Sequence, residues 1–196
     1  MESVPTVQVV QAFLADPAVS CPVFDRLSAR VTAREIIAGL GDAPALLSMH
    51  NVPGTASDEV VALVGAIERR AARGIGTACY CSGYVGSGGP TVAAACSPRV
   101  IAPGAYFRFH GATLYAPDGS RYRDPAHDRW TARVLARHVR ASPDTVAHWL
   151  SPWWHDSPPW VDLRAGEIVA AGLADLVGTG EDAAWLLHSA GGGRRC

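Results

Sequence analysis

The chain has 196 residues and a mass of 20.6 kDa, with 48% hydrophobic and 18% charged residues. That allows one domain with a sizeable core and is too apolar for global disorder. The net charge of −1 and the absence of any basic block speak against nucleic acid as a partner. Met1-Glu2-Ser3 opens without a basic region or a long apolar run, and no apolar stretch is long enough to span a bilayer. The expectation is therefore a cytoplasmic protein with no membrane partner. All 17 basic residues are arginines. Without an amine, P-loop nucleotide chemistry, Schiff-base chemistry and Ser-Lys hydrolysis are all excluded. The cysteines, Cys21, Cys79, Cys81, Cys96 and Cys196, are odd in number and lack framework spacing, and they read as small buried thiols.

In chain order, Thr6 to Phe13 reads as a strand. Thr32 and Glu35 fit a capping box for a helix that runs to Leu40 and stops at Gly41. Ala45 to His50 is a short buried strand, followed by the turn Asn51-Val52-Pro53-Gly54-Thr55. Ser57-Asp58-Glu59 starts a longer helix that ends near Arg73-Gly74. Ile75 to Ser82 is a third strand and passes into the glycine-rich turn Gly83 to Gly89. Pro90 to Cys96 is a small-residue helix with proline in its first turn. Strands follow at Arg99 to Ala102 and Tyr106 to His110.

Residues 115–130 are polar and turn-rich, and Trp130 to Arg140 carries a helical pattern. Ser142-Pro143-Asp144 supplies an N-cap, a first-position proline and a first-turn acid. Residues 151–160 form a loop rich in aromatics and proline, and Asp162, just beyond it, would cap the helix from about Arg164 to Ala171. Leu173 to Val177 is a last strand, and Gly191 to Cys196 reads as a frayed tail. Alternating strands and helices with short connections predict an α/β fold on a mostly parallel sheet. The expected organisation is a single domain over 1–178 with a helical appendage at about 120–150, then a C-terminal extension over 179–196.

Three segments converge on one chemistry. Ser87 lies between a buried strand and a helix start, bracketed by glycines, where free amides favour a developing negative charge. The turn His50 to Thr55 also ends a strand and precedes a helix. In a parallel sheet two such turns face one crevice, so the amide of Gly54 or Thr55 could join that of Gly88 in a two-donor oxyanion hole. His110 closes an apolar strand 23 residues after Ser87. His155 beside Asp156 has no partner ligands at metal spacing, and no metal or cofactor is expected. Trp149, Trp153, Trp154 and Trp160 read most simply as packing residues.

Taken together these segments resemble the proteolytic subunit of the Clp protease, within the crotonase superfamily. Gly83-Tyr-Val-Gly-Ser87-Gly-Gly-Pro90 is similar to that family's Gly-x-Ala-x-Ser-Met-Gly-Ala nucleophile segment. Asn51-Val-Pro53-Gly54-Thr55 is similar to its Asn-Ser-Pro-Gly-Gly oxyanion loop. Ile101 to His110 looks like the strand that delivers its histidine, and Glu167 to Asp175 like its closing Glu-Ala-x-x-x-Gly-Leu-x-Asp segment. The resemblance spans residues 25–178. It implies a crotonase-like ββα superhelix, peptide hydrolysis by Ser87 and His110, a peptide or protein substrate, and a homo-oligomeric ring. It also leaves room for an unfolding ATPase as partner.

The chain departs from the family at Thr55, at Gly88 and at the third catalytic group. Counting back from Gly172-Leu173, the family's aspartate falls near Pro159 or Trp160. Asp156 lies just before and Asp162 just after, and Asp156 is preferred because a capping role accounts for Asp162. Two other readings follow from these departures. One is a crotonase-fold enzyme acting on a thioester or a tailored peptide, and the other is a non-catalytic ring subunit.

Overall fold

The apolar runs of the first hundred residues fold as parallel strands joined by helices, since each strand face must be covered and a parallel return needs a crossover. The computed structural model describes residues 8–12, 33–54, 56–116, 118–153 and 160–191. Its elements in chain order are β1 (Gln8–Ala12), α1 (Ala33–Leu40), β2 (Ala45–Val52), α2 (Ser57–Ala72), β3 (Thr77–Gly86), α3 (Gly89–Ala95), β4 (Arg99–Ile101) and β5 (Tyr106–Phe109). A hairpin follows, β6 (Thr113–Tyr115) and β7 (Arg121–Arg123), then α4 (Pro125–His138) and α5 (Pro143–Leu150). The described chain closes with β8 (Val161–Arg164), α6 (Ala165–Ala170), β9 (Leu176–Val177) and α7 (Gly180–Gly191).

The sheet runs β1-β2-β3-β4-β9, all parallel. Strand β3 serves two neighbours. Cys79 to Cys81 pair with β4, and Tyr84 to Gly86 pair in parallel with β5. Strand β8 is antiparallel to β5, so the fold is mixed α/β with a mostly parallel sheet, as its alternating pattern predicts. One face packs Leu47, Met49, Phe107 and Phe109 against Ile36, Leu63, Ile67 and Ile168 of the helices. The other face sets Leu46, Ala78 and Val100 under Ala183 and Leu187 of α7. Cys79, Cys81 and Cys96 are buried thiols in the first layer. Trp149, 4% exposed, stacks on Phe109 with ring centroids 5.0 Å apart, a packing residue as expected.

Four local expectations are corrected. Strand β3 does not end at Ser82 but continues to Gly86, because β5 offers its second half a fresh ladder of hydrogen bonds. Helix α4 starts at Pro125 rather than Trp130, because the Asp124 carboxylate accepts from the Ala126 and His127 amides, both at 3.0 Å. The polar stretch before it contains the β6–β7 hairpin. Asp162 caps no helix, since it lies in β8 opposite Arg108. Thr32, Cys21, His155 and Cys196 lie outside the described residues. Among the described residues, no helix is long and apolar enough to cross a membrane.

Candidate active site

The pairing of Gly86 with Arg108 decides where the candidate residues go. Ser87 follows Gly86 at the carboxyl end of β3, and its amide donates to the Arg108 carbonyl at 3.0 Å, one rung past the ladder. His110 is two residues beyond Arg108, so both side chains leave the same end of adjacent parallel strands. Ser87 has φ of 56°, in the left-handed region. For a residue with a side chain that costs roughly 1–2 kcal/mol, and such strain concentrates at functional sites. The turn swings the backbone into α3, and Ser87 itself remains partly exposed.

The oxyanion-loop candidate packs against this turn. Gly54 has φ of 136°, and a Cβ there would sit 2.6 Å from the Ser87 Cβ and 3.1 Å from its Oγ. Only glycine lets the two backbones approach so closely. Asn51 ties the loop to β3, its Oδ1 accepting from the Tyr84 amide at 3.1 Å. Gly88 has its own steric reason, because a Cβ at that position would collide with Val60 Cγ2. A methionine in this position, as in the family segment it resembles, would have no room. Thr55 lies outside the described residues.

The imidazole of His110 donates from Nδ1 to the Gly111 carbonyl at 2.8 Å. A carbonyl can only accept, so the hydrogen sits on Nδ1 and the basic lone pair on Nε2. The Gly111 amide in turn donates to the Pro152 carbonyl at 2.7 Å, which anchors that segment. Asp156 lies outside the described residues. Asp162 is engaged elsewhere: its two oxygens accept from Arg108 Nε and Nη2 at 2.6 and 2.7 Å. This fork holds the Arg108 guanidinium, whose pKa is raised chiefly by its hydrogen bond to Asp162, 4.4 Å from the Trp160 ring centroid.

Ser87, Gly88 and His110 line a cavity of about 70 Å³. Thr113 of the hairpin and His127 and Thr131 of α4 complete much of its wall. These were not among the sequence candidates. A signal for them exists in Asp124-Pro125, the same cap-then-proline pattern as Ser142-Pro143, which would have put positions 127 and 131 on one helical face. The chain matches no protein-family model and no curated protein.

Proposed function

We propose that the chain is a serine-type peptidase that cleaves amide bonds on a crotonase-like ββα superhelix. Ser87 is its nucleophile, His110 its base, and Asp156 the group that supports His110. The observation that carries this reading is the β3–β5 register. It sends a strained serine and a histidine whose lone pair is on Nε2 into one cavity, with Gly54 pressed against the serine.

In this mechanism Ser87 Oγ forms a bond to the scissile carbonyl carbon while its proton passes to His110 Nε2. The carbonyl oxygen becomes an oxyanion held by the amides of Gly88 and of Gly54 or Thr55, each such donor being worth about 3–4 kcal/mol at the transition state. Collapse breaks the C–N bond, and Nε2 returns the proton to the departing amine. Water then attacks the acyl-serine by the reverse route and restores both side chains. The reading includes a peptide or protein substrate and a homo-oligomeric ring, and leaves room for an unfolding ATPase as partner.

The test treats wild type and Ser87→Ala with a fluorophosphonate and reads intact mass. One adduct on wild type and none on the variant is the expected result. A folded wild-type protein that takes up no label overturns the reading and favours a non-hydrolytic crotonase-fold enzyme or a silent ring subunit.

A further inference from the structure

We propose that the cavity beside Ser87 is a specificity pocket for a small hydroxyl-bearing side chain, serine or threonine, adjoining the bond that is cleaved, and that His127 selects it. This rests on the peptidase reading above and names its substrate class. Size is the first argument. The cavity holds about 70 Å³. A dry cavity of about 150 Å³ is what accommodates a benzene ring, so a space of this size favours a small side chain over an aromatic one.

Polarity is the second argument. Thr113 lines the cavity as a hydroxyl-bearing residue. Thr131, 7% exposed, adds a second hydroxyl-bearing residue to the same wall. Asp128 also lines the cavity, but its oxygens are committed to the Ala112 amide at 2.7 Å and to Arg123 Nε at 2.9 Å. It therefore braces the wall, and its charge is already compensated.

His127 is set by α4 and stacked on Trp130 with ring centroids 5.1 Å apart. Burial pushes its imidazole pKa down, against the opposing pull of Asp124 and Asp128, which keeps the ring neutral near pH 7. A neutral imidazole offers one donor and one acceptor, the complement of a hydroxyl, which can serve as both. Val60, Ala112 and Leu150 supply apolar contact for the carbon that bears the hydroxyl.

The experiment uses peptidyl aminoalkylphosphonate diphenyl esters that differ only in the side chain next to phosphorus: hydroxymethyl, methyl, isobutyl or benzyl. Labelling rates at Ser87 are read by intact mass on wild type, His127→Ala and His127→Gln, each checked for fold by circular dichroism. Wild type is expected to react with the hydroxymethyl probe about tenfold or more faster than with the isobutyl or benzyl probes. His127→Ala should lose that order and accept the isobutyl probe better, whereas His127→Gln, which keeps a donor and an acceptor, should retain it. An isobutyl or benzyl probe reacting fastest with wild type overturns the inference, as does an unchanged order in His127→Ala. A small fluorophosphonate that does not enter the pocket separates the two readings. Its adduct without discrimination among the panel sinks the pocket alone, and no adduct from any probe on folded protein sinks both.

Discussion

On the proposed peptidase reading, the hydrogen bond from His110 Nδ1 to the Gly111 carbonyl changes what would be required of a third catalytic group. In a serine-histidine-acid triad the acid's main service is to hold the imidazole in the productive tautomer, and its loss costs about 10⁴ in rate when the wrong tautomer results. Here a backbone carbonyl already favours the hydrogen on Nδ1, so Asp156→Asn should slow fluorophosphonate labelling by only about tenfold, well short of that figure. Asp162 behaves oppositely. Removing it leaves Arg108, 24% exposed, without its bidentate partner, so Asp162→Asn should lower stability by roughly 1–2 kcal/mol and barely alter labelling. Labelling rates and melting temperatures for the two variants check this pair. A large rate loss in Asp162→Asn would show that the Arg108 fork supports the site more directly than its geometry indicates.

At the level of elements, one side chain joins the crossover that precedes the site. Arg70 of α2 is 3% exposed, and its donors meet neutral oxygens at the end of α1 and the start of β3. Nε donates to Thr77 Oγ1 at 2.9 Å, Nη1 to the carbonyls of Leu40 at 2.9 Å and of Gly41, and Nη2 to those of Ala43 at 2.6 Å and Gly76 at 3.3 Å. A planar fork spans these acceptors, and an ammonium cannot. Arg70→Lys should therefore destabilise nearly as much as Arg70→Ala, by about 3 kcal/mol, a fall of about 6–12 °C in Tm. Thermal unfolding decides it, and a Lys variant within a degree of wild type would mean that charge alone suffices. The same elements mark how far the sequence could be read. Runs such as Ala45 to His50 and caps such as Ser142-Pro143-Asp144 declare themselves locally, and Ser142 does accept from the Thr145 amide at 3.2 Å. The extension of β3 to Gly86 is not local, because it depends on β5 arriving alongside. Asp162 misled for a like reason: an acid before a helical run reads as a cap until its cross-strand partner, Arg108, is known. Ser87 and His110 could be singled out from their positions after strands. Asp124-Pro125 could have set His127 and Thr131 on one helical face, but neither they nor Thr113 could be placed at the cavity, because they join it only once α4 and the hairpin fold over it.

For the molecule as a whole, these partners set a direction for acid sensitivity. Stability rises with pH wherever the unfolded chain binds more protons than the folded one. His127 is such a case, since burial disfavours its protonated form in the fold despite Asp124 and Asp128 nearby. Its contribution is complete above the unfolded value of about 6.5 and is lost as the pH falls below it. Two carboxylates act lower on the scale. Burial alone would raise Asp175, but hydrogen bonds from the Arg99 side chain and amide hold it below its ordinary value. Burial likewise works against Glu68, which hydrogen bonds with Arg137 and His138 lower. Their contributions are present above about pH 4 and disappear as the pH drops through their folded values. Melting temperature should thus be level above about pH 7 and decline in two stages. The first is shallow, about 1–3 °C between pH 7.5 and 5.5, since a partly buried imidazole yields only part of the limiting 1.4 kcal/mol per pH unit. The second is steeper and sets in below about pH 4. His127→Gln carries no titrating group at that position, so its curve should be flat through the first stage and still fall in the second. Calorimetric scans of wild type and this variant from pH 8 to 3 separate the stages, and a first stage that survives in His127→Gln would assign it to another group.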